Sequence, residues 1–261
     1  MSEKIDDRAQ RIVVELRRLG DVSVSDLMKH LNVSAPSIRR DLARLEKRGL
    51  VRRTHGGATL VEPLLYEPFR YDASFQKREQ NSTSEKRRIA FAAAELIQEH
   101  ETVGITAGTT TTQIARSLRH RRNISIVTNA INIGMELCNV TGLKTYLTGG
   151  FVQWAWSFSL IGPTAIQSLE NTILDKLFLG VCGISGERGA TTIEPDEGMV
   201  FRTMVQQAKQ VIVVADSTKL GLITPALICQ PEAIDIFITD TNADPGKLDE
   251  IRSAGVEIIT V

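Results

Sequence analysis

Apolar residues recur at helical spacing three times near the start of the chain, and each recurrence predicts an amphipathic helix. The helices are predicted over residues 5–19, 24–31 and 34–49. In the third, Ile38, Leu42 and Leu45 stand at i, i+4 and i+7, so they share the face that a core would bury. The opposite face is polar and basic, and its role depends on the neighbouring elements.

Capping residues mark where these helices begin and end. Ser23 and Asp26 have capping-box spacing at the start of the second helix. Ser34 is placed to cap the third helix, Pro36 falls in its first turn, and Gly49 can end it. Only the segment "NVS" joins the two helices. Such a tight turn between two short helices predicts a helix-turn-helix.

Two short apolar runs follow, over residues 51–55 and 58–60. They predict a β-hairpin that turns at Gly56 and Gly57, because glycine at both turn positions can take a positive φ. A hairpin directly after a helix-turn-helix predicts a wing.

From residue 85, helical and strand patterns alternate to the end of the chain. Helices are predicted over residues 84–98, 110–118, 130–137, 162–170, 198–207 and 245–254. Strands are predicted over residues 102–106, 124–128, 144–147, 176–180, 211–215, 234–239 and 257–260. The runs "VIVVA" and "IFIT" are continuously apolar, which is typical of parallel strands covered on both faces. The pattern predicts a doubly wound, mostly parallel α/β domain.

The stretch between these two parts has no clear period and mixes proline, tyrosine and charged residues. We therefore expect a winged helix-turn-helix domain over residues 1–60, a linker over residues 61–84 and an α/β domain over residues 85–261. Aromatic side chains in the linker indicate that it docks onto a surface: Tyr66, Phe69, Tyr71 and Phe75.

Charge distinguishes the two domains. The 261 residues carry 31 Lys and Arg and 31 Asp and Glu, so the formal net charge is zero. Residues 1–60 nevertheless hold 13 basic and 8 acidic residues, and the rest of the chain holds 18 and 23. A basic head suits binding to a polyanion, with an affinity that falls as the salt concentration rises.

The basic residues lie where a DNA-binding head needs them. On the helical wheel, the outward face of the third helix and its flank carry Ser37, Arg39, Arg40 and Arg44. The predicted wing carries Arg52, Arg53 and His55, which can meet phosphates or a minor groove. A solvated cationic surface would explain the helix alone. Together, the helix-turn-helix, the wing and the charge favour a recognition helix in the major groove of double-stranded DNA.

Residues 8–60, through "S..SIRRDL..LE..G.V.R.HGGA", resemble the winged helix-turn-helix of the DeoR family of bacterial transcriptional regulators. Ser37 stands where that family usually has threonine, which keeps the hydroxyl and loses a methyl group. The resemblance implies that base edges are read by Ser34, Pro36, Ser37, Arg39 and Arg40. It implies contacts to the DNA backbone for Arg52, Arg53 and His55, and we count the outward Arg44 with the DNA-binding residues.

In doubly wound sheets, ligands bind beyond the carboxyl ends of the strands. The most informative loop there is "TAGTTTT", residues 106–112. Gly108 lets the backbone approach a ligand, and Thr109, Thr110 and Thr111 offer hydroxyls and amides where a helix begins. The loop predicts a phosphate site, although a plain threonine cap after a tight turn would explain it equally well.

Other loops at this edge supply further candidates. Asp216 and Lys219 follow a buried strand and are expected to form a charged pair, the alternative being a capping aspartate beside a solvated lysine. Glu197 belongs to a loop cluster with Glu194 and Asp196, for which a solvated surface is the commoner explanation. Two more loops, "TNA" and "TGG", contribute Asn129 and Gly150, which are expected to line a sugar together with Glu197.

About residues 85–240, through "AGTTT", "DKLFLGVCGIS" and "MVFRTMVQQAKQVIVVADSTKLG", resemble the effector domain of the same family. That domain is similar in fold to ribose-5-phosphate isomerase and the CoA transferases. The resemblance implies binding of a phosphorylated sugar or related metabolite without isomerase activity. Thr106 and Ala107 stand where the family often has Asp and Ser, which weakens the case for an acidic sugar contact from this loop. The segment "F.KREQNSTSEKRRIA", with Arg78 and Lys86, resembles the family's interdomain region.

We therefore expect a DNA-binding transcriptional regulator, a repressor of a sugar-utilisation operon. Its expected partners are double-stranded operator DNA and a phosphorylated sugar. The alternative is a sugar-phosphate isomerase-like enzyme with an accessory DNA-binding head, in which Asp216 or Glu197 would serve as the base. The head favours the regulator, because a metabolic isomerase has no need of it.

No catalytic residue, metal or cofactor is predicted. Cys138, Cys182 and Cys229 lack metal-ligand spacing and are expected to be buried apolar residues. No apolar run is long enough to span a bilayer and no signal-peptide core is present, so we expect a cytoplasmic protein. One winged head buries little surface on DNA, so we expect a homodimer or homotetramer assembled through the α/β domain.

Overall fold

The structure is a computed structural model that describes residues 2–47, 51–54, 56–60, 73–153 and 157–261. The chain forms two compact units that divide between residues 64 and 65. Each unit has its own hydrophobic core.

The described part of the first unit combines three helices with a small antiparallel sheet. Its helices are α1 (Ser2–Leu19), α2 (Val24–Leu31) and α3 (Ala35–Lys47). Its strands are β1 (Asp21–Ser23), β2 (Val51–Arg53) and β3 (Gly57–Leu60), in the order β1-β3-β2. The winged helix-turn-helix prediction is confirmed, and β1 is an element that the sequence pattern did not indicate.

The predicted apolar face of α3 packs into the core of this unit. Ile38, Leu42 and Leu45 are 0%, 1% and 2% exposed. The Ser23 hydroxyl caps α2 by accepting a hydrogen bond from the backbone N–H of Asp26 at 3.1 Å. Asn32 follows α2 in the left-handed conformation, with φ 54°, and turns the chain toward α3.

Gly57 has a different role from the one predicted. Among the described residues it is not one with a positive φ, and it lies in β3 opposite Ser23 of β1. A Cβ on Gly57 would lie 2.0 Å from the carbonyl oxygen of Val22. Glycine is therefore required at position 57, because the backbone of β1 lies too close to leave room for a side chain. The sequence could not reveal this requirement, because its pattern did not indicate β1.

The second unit is built around parallel strands. Its strands are β4 (Thr102–Ile105), β5 (Ile124–Thr128), β6 (Leu143–Leu147), β7 (Phe151–Gln153), β8 (Ser159–Ile161), β9 (Lys176–Gly180), β10 (Gly183–Ser185), β11 (Gly189–Thr192), β12 (Val211–Val214), β13 (Ala226–Cys229), β14 (Ile236–Thr239) and β15 (Glu257–Thr260). Its helices are α4 (Ala73–Gln80), α5 (Thr83–Glu95), α6 (Thr109–Ser117), α7 (Ile131–Leu137), α8 (Pro163–Leu169), α9 (Pro195–Gln207) and α10 (Pro245–Ser253).

Seven strands form the main sheet, in the order β15-β14-β12-β9-β4-β5-β6. Every neighbouring pair in it is parallel, so the carboxyl ends of all its strands lie at one edge. The predicted doubly wound α/β domain is confirmed. The described residues contain no helix long and apolar enough to cross a membrane.

Several short elements differ from the sequence prediction. β10, β11 and β13 form a small antiparallel sheet, and β7 pairs with β8. Part of "VCGIS", where the sequence pattern indicated neither a helix nor a strand, is β10. α9 begins at Pro195 rather than at residue 198, because proline at the first helical position is compatible with a helix start.

The segment expected to be a linker is partly helical. Residues 61–72, with Tyr66, Phe69 and Tyr71, lie outside the described residues. Phe75 in α4 is fully buried. Its ring packs edge-on against Phe158, with centroids 5.0 Å apart. This aromatic residue therefore docks onto the α/β unit.

Candidate functional site

The outward surface of α3 gathers the residues predicted to read DNA. Its exposed members are Ser34, Pro36, Arg39, Arg40 and Arg44. Ser37 is half-buried, and its hydroxyl accepts a hydrogen bond from the Ser34 hydroxyl at 3.2 Å. The helix thus presents guanidinium groups and small polar groups on one side, a set that suits base edges and phosphates in a major groove.

A buried carboxylate holds the back of α3. Asp41 is 1% exposed and accepts a hydrogen bond from Arg8 Nε of α1 at 2.5 Å. This hydrogen bond raises the pKa of Arg8 above its usual value. The second carboxylate oxygen lies 3.8 Å from the Arg44 guanidinium. The pair of Arg8 and Asp41 therefore fixes α3 against α1, and no sequence motif marked it.

Three residues of the wing were predicted to contact the DNA backbone, and the structure describes two of them. Arg52 and Arg53 are exposed on β2. The backbone N–H of Arg53 donates to Glu46 at 3.1 Å, and its guanidinium lies 3.9 Å from the same carboxylate. These contacts join the wing to the end of α3. His55 lies outside the described residues.

A cavity of about 600 Å³ opens at the carboxyl edge of the parallel sheet. Its volume is in the range of pockets that hold small ligands. The effector residues predicted from the sequence that line it are Gly108, Thr109, Thr110, Glu197, Asp216 and Lys219. Loops that are far apart in sequence therefore converge on one cavity, as the parallel topology requires.

The loop after β4 places the start of α6 at this cavity. Gly108 has φ 156° and precedes α6, whose first turn contains Thr109 and Thr110. The hydroxyls of Thr111 and Thr112 donate to the Gly108 carbonyl at 3.0 and 2.6 Å, so they fix the loop. Amides in a first helical turn have no partner within the helix, and the helix dipole makes this end positive. This end of the cavity suits an anion.

Lys86 of α5 also lines the cavity, and the sequence analysis did not count it as a site residue. Its Nζ donates to the carbonyls of Arg78 and Asn81 and lies 3.9 Å from the Asp216 carboxylate. Burial lowers the pKa of Lys86, while Asp216 opposes this and nearby Lys219 adds to it. The resemblance of its segment to the family's interdomain region was the only sequence signal that pointed to it.

Asp216 does not form its ion pair with the residue expected. Its carboxylate lies against Lys86, and it caps the 3₁₀ turn Ser217–Lys219 by accepting from the Thr218 N–H at 3.2 Å. The capping alternative therefore describes Asp216. Lys219 lines the cavity and is half-buried. Because Asp216 offsets the charge of Lys86, Lys219 gives this end of the cavity a net positive charge.

Glu197 faces the cavity from the first turn of α9 rather than from a loop. It is 3% exposed, so the expectation of a solvated surface is wrong for this residue, although Asp196 beside it is exposed. One Glu197 carboxylate oxygen accepts from the Ser159 hydroxyl at 2.6 Å and the other from the Thr192 hydroxyl at 2.8 Å. These hydrogen bonds hold the carboxylate in a fixed orientation.

Three predicted effector residues do not line this cavity: Thr111, Asn129 and Gly150. Asn129 is 0% exposed and accepts from the backbone N–H of Ala107 at 3.0 Å, so it supports the loop after β4 from behind. A Cβ on Gly150 would lie 2.4 Å from the carbonyl oxygen of Ile161. Glycine there permits close approach of two backbone segments.

The cysteines differ from one another. Cys229 is buried as expected, and burial raises its pKa to about 11. Cys138 is exposed, and Cys182 is half-buried at the cavity. The expectation that all three are buried apolar residues is therefore correct for Cys229 alone.

Two protein-family models match the chain. The DeoR-like helix-turn-helix domain matches residues 8–63, and the DeoR C terminal sensor domain matches residues 81–241. These matches cover the head and most of the α/β unit, including every residue named above as lining the cavity, apart from Arg78.

Curated proteins are similar over nearly the whole chain. The HTH-type transcriptional regulator GlpR of Haloferax volcanii is 38% identical over 253 residues, which are 97% of this chain and 96% of that protein. The HTH-type transcriptional repressor GlcR of Bacillus subtilis is 34% identical over 254 residues, 97% of this chain and 95% of that protein. Among solved structures, ribose 5-phosphate isomerase A from Neisseria gonorrhoeae aligns with a TM-score of 0.37 and 16% identity, over 52% of each chain.

Proposed function

Because the chain belongs to the DeoR family of transcriptional regulators, we propose that it represses a sugar-utilisation operon under the control of a phosphorylated sugar bound in the cavity. The named relatives are transcriptional regulators, which favours a regulator over an isomerase-like enzyme. The observation that carries the proposal is the joining, in one chain, of an arginine-bearing helix-turn-helix with a cavity that has a cationic, amide-lined end.

In this proposal the phosphate binds where the cavity is most positive. The amides of Gly108 and Thr110 hold its oxygens at the start of α6, with Thr109 and Thr111 shaping the loop. Lys219 supplies a point charge, and Asp216 keeps its 3₁₀ turn and Lys86 in place. Glu197 faces the sugar. Asn129 and Gly150 act from outside the cavity, as supports of its loops.

The proposed DNA contacts follow the exposure of the head. Base edges are read from α3 by Ser34, Pro36, Ser37, Arg39 and Arg40. Phosphates are held by Arg44, Arg52, Arg53 and His55. Because a single head offers a small interface, operator affinity in the usual range requires two or more heads on repeated half-sites.

We therefore include a homodimer or homotetramer, assembled through the α/β unit, in the proposal. Sedimentation at micromolar concentration, with and without operator DNA, measures the oligomeric state. A monomer under both conditions would contradict this part.

The proposal as a whole is tested by DNA binding with and without sugar phosphates. Operator sequences are first selected from a random duplex pool, and binding is then followed by fluorescence anisotropy. Thermal-shift screening against a sugar-phosphate panel identifies the effector. A regulator changes its operator affinity when the effector is present. Turnover of the sugar phosphate with no sequence-selective DNA binding would favour the enzyme instead.

A further inference from the structure

The cavity also has an acidic region, formed by Glu197 and its hydroxyl partners, whose chemistry is opposite to that of the lysine side chains. Glu197 is buried there and accepts hydrogen bonds from Ser159 and Thr192 at 2.6 and 2.8 Å. No Lys, Arg or His of the described chain forms an ion pair with Glu197. A buried carboxylate without a cationic partner is costly unless a ligand supplies hydrogen-bond donors.

The hydroxyl protons around Glu197 determine whether a bound ligand must donate or accept hydrogen bonds there. The Ser159 proton goes to Glu197, so the Ser157 hydroxyl, 2.5 Å from Ser159, must donate its own proton to Ser159. The Thr192 proton also goes to Glu197. The carboxylate and the hydroxyls of Ser157 and Thr192 therefore offer the cavity only lone pairs, so these three groups accept hydrogen bonds from a ligand without donating any.

Resting on the proposed function, we infer that the effector is a phosphomonoester whose far end carries hydroxyl or amino donors and no second anionic group. The phosphate binds at the amide-lined end, and the donors meet Glu197. A carboxylate or second phosphate at the far end would face Glu197 in a desolvated site, where like charges repel strongly. Size does not impose this choice, because a cavity of about 600 Å³ has room for larger ligands.

Two pairs of probes test the inference, each differing only by a hydroxymethyl group against a carboxylate. They are glucitol 6-phosphate with 6-phosphogluconate, and glycerol 3-phosphate with 3-phosphoglycerate. Binding to the full chain is measured by calorimetry at one ionic strength, with inorganic phosphate as the reference. We expect the hydroxymethyl member to bind at least about tenfold more tightly in each pair that binds, because like-charge juxtaposition is strongly unfavourable.

The variant Glu197→Gln removes the charge and adds an amide donor, so it should bind the carboxylate probes more tightly and reduce the preference to about threefold or less. The matched control is Asp196→Asn, which removes one charge from the exposed neighbouring residue and should keep the wild-type preference. If Glu197→Gln does not fold, the wild-type ratios decide alone.

Each outcome has a distinct meaning. Equal binding of both members of a pair by the wild type overturns this inference and leaves the proposed function standing. The inference is likewise overturned, and the proposed function left standing, if Asp196→Asn changes the preference as much as Glu197→Gln does. Failure of all four phosphoesters and of inorganic phosphate to bind overturns the proposed effector class, and this inference with it.

Discussion

At the scale of the residue, the proposed phosphate site depends on Gly108. Its φ is 156°, and a Cβ there would lie 2.9 Å from Thr111 Oγ1, the hydroxyl that fixes the loop. Gly108→Val should displace the amides of the first turn of α6 and abolish the influence of the effector on DNA binding. Operator affinity without effector should be unchanged, because the head has its own core.

Anisotropy titrations with and without effector measure both quantities. Gly246→Val is the control, since this glycine lies in the first turn of α10 and its added Cβ would meet only Asp244 Oδ1 at 3.3 Å. A Gly108→Val protein that still responds fully to the effector would place the pocket elsewhere.

Two exposed arginines of the head should behave differently on DNA. Arg40 lies on α3 and Arg52 on the wing. Arg40→Ala should lose roughly 1–3 kcal/mol of specificity at one operator position if it binds a guanine edge with two hydrogen bonds. Arg52→Ala should weaken binding to every sequence and reduce the salt dependence, because the proposal assigns it a phosphate contact.

These effects are read from binding to the operator, its single-base variants and a random duplex at several salt concentrations. Arg252→Ala, which removes an exposed charge from α10, is the control and should bind like the wild type. If Arg40→Ala and Arg52→Ala also bind both kinds of duplex like the wild type, the head does not read DNA.

At this scale, sequence reasoning predicted cavity-lining residues where a residue type implies a position. Gly108 and Thr110, which line the cavity, were named because a glycine before a threonine-rich helix start suits a phosphate. Lys86 was not counted as a site residue, because only the fold brings the start of α5 beside the end of β12. The burial of Glu197 was missed for the same reason: its partners Ser159 and Thr192 lie on two other strands.

At the scale of the element, the contact between β1 and β3 determines whether the wing can form. Gly57→Ala should destabilise the head, because its Cβ would lie 2.0 Å from the Val22 carbonyl oxygen. Gly56→Ala is the matched control, since its Cβ would meet nothing within 4 Å. Operator binding by the first variant should be lost, while its thermal shift with effector should remain.

Chemical denaturation distinguishes destabilisation of the head from destabilisation of the α/β unit, because each unit has its own core and can lose structure separately. A Gly57→Ala protein that binds operator like the Gly56→Ala protein would show that β1 can move away without cost.

The β1 strand could not be predicted because three residues, "DVS", carry no recognisable alternation. The long parallel strands were predictable because burial on both faces makes them continuously apolar.

α4 is held to the α/β unit by a buried charge network. Arg116 in α6 donates to Glu79 of α4 at 2.8 Å and to Glu136 of α7 at 3.0 Å, and Arg119 also pairs with Glu136. Arg116→Met should lower the free energy of unfolding of this unit by about 3 kcal/mol, because it leaves two carboxylates poorly compensated in a buried setting.

Urea denaturation followed by circular dichroism measures this loss. Arg252→Met is the control, because its exposed pair with Asp249 should contribute less than about 0.5 kcal/mol. Equal stability of the two variants would mean that the network carries no net energy.

At the scale of the whole molecule, α4 is the first described element after the head along the chain, and it also contributes to the cavity. It follows the chain segment that leaves the head, its Phe75 is buried in the α/β unit, and Arg78 at its other end lines the cavity. A ligand whose affinity depends on the position of α4 can therefore shift a two-state conformational equilibrium of the chain. Sequence patterns could not reveal this place of α4, because residues 61–84 were expected to form a linker that docks onto a surface and no helix was indicated within residues 73–80.

Coupling of this kind must be reciprocal. If the effector changes operator affinity by some factor, thermodynamic linkage requires the operator to change effector affinity by the same factor, typically about 5- to 150-fold, whichever direction the change takes. Effector is titrated into the free protein and into the protein saturated with operator, and operator into the protein with and without saturating effector, in one buffer. A random duplex at the same concentration is the control and should give a smaller factor, since it binds the head mainly through phosphates. Gly108→Val should reduce both factors to about one. Unequal factors in the wild type would mean that the operator and the effector bind different assemblies of the chain, because two ligands of one assembly cannot be coupled asymmetrically.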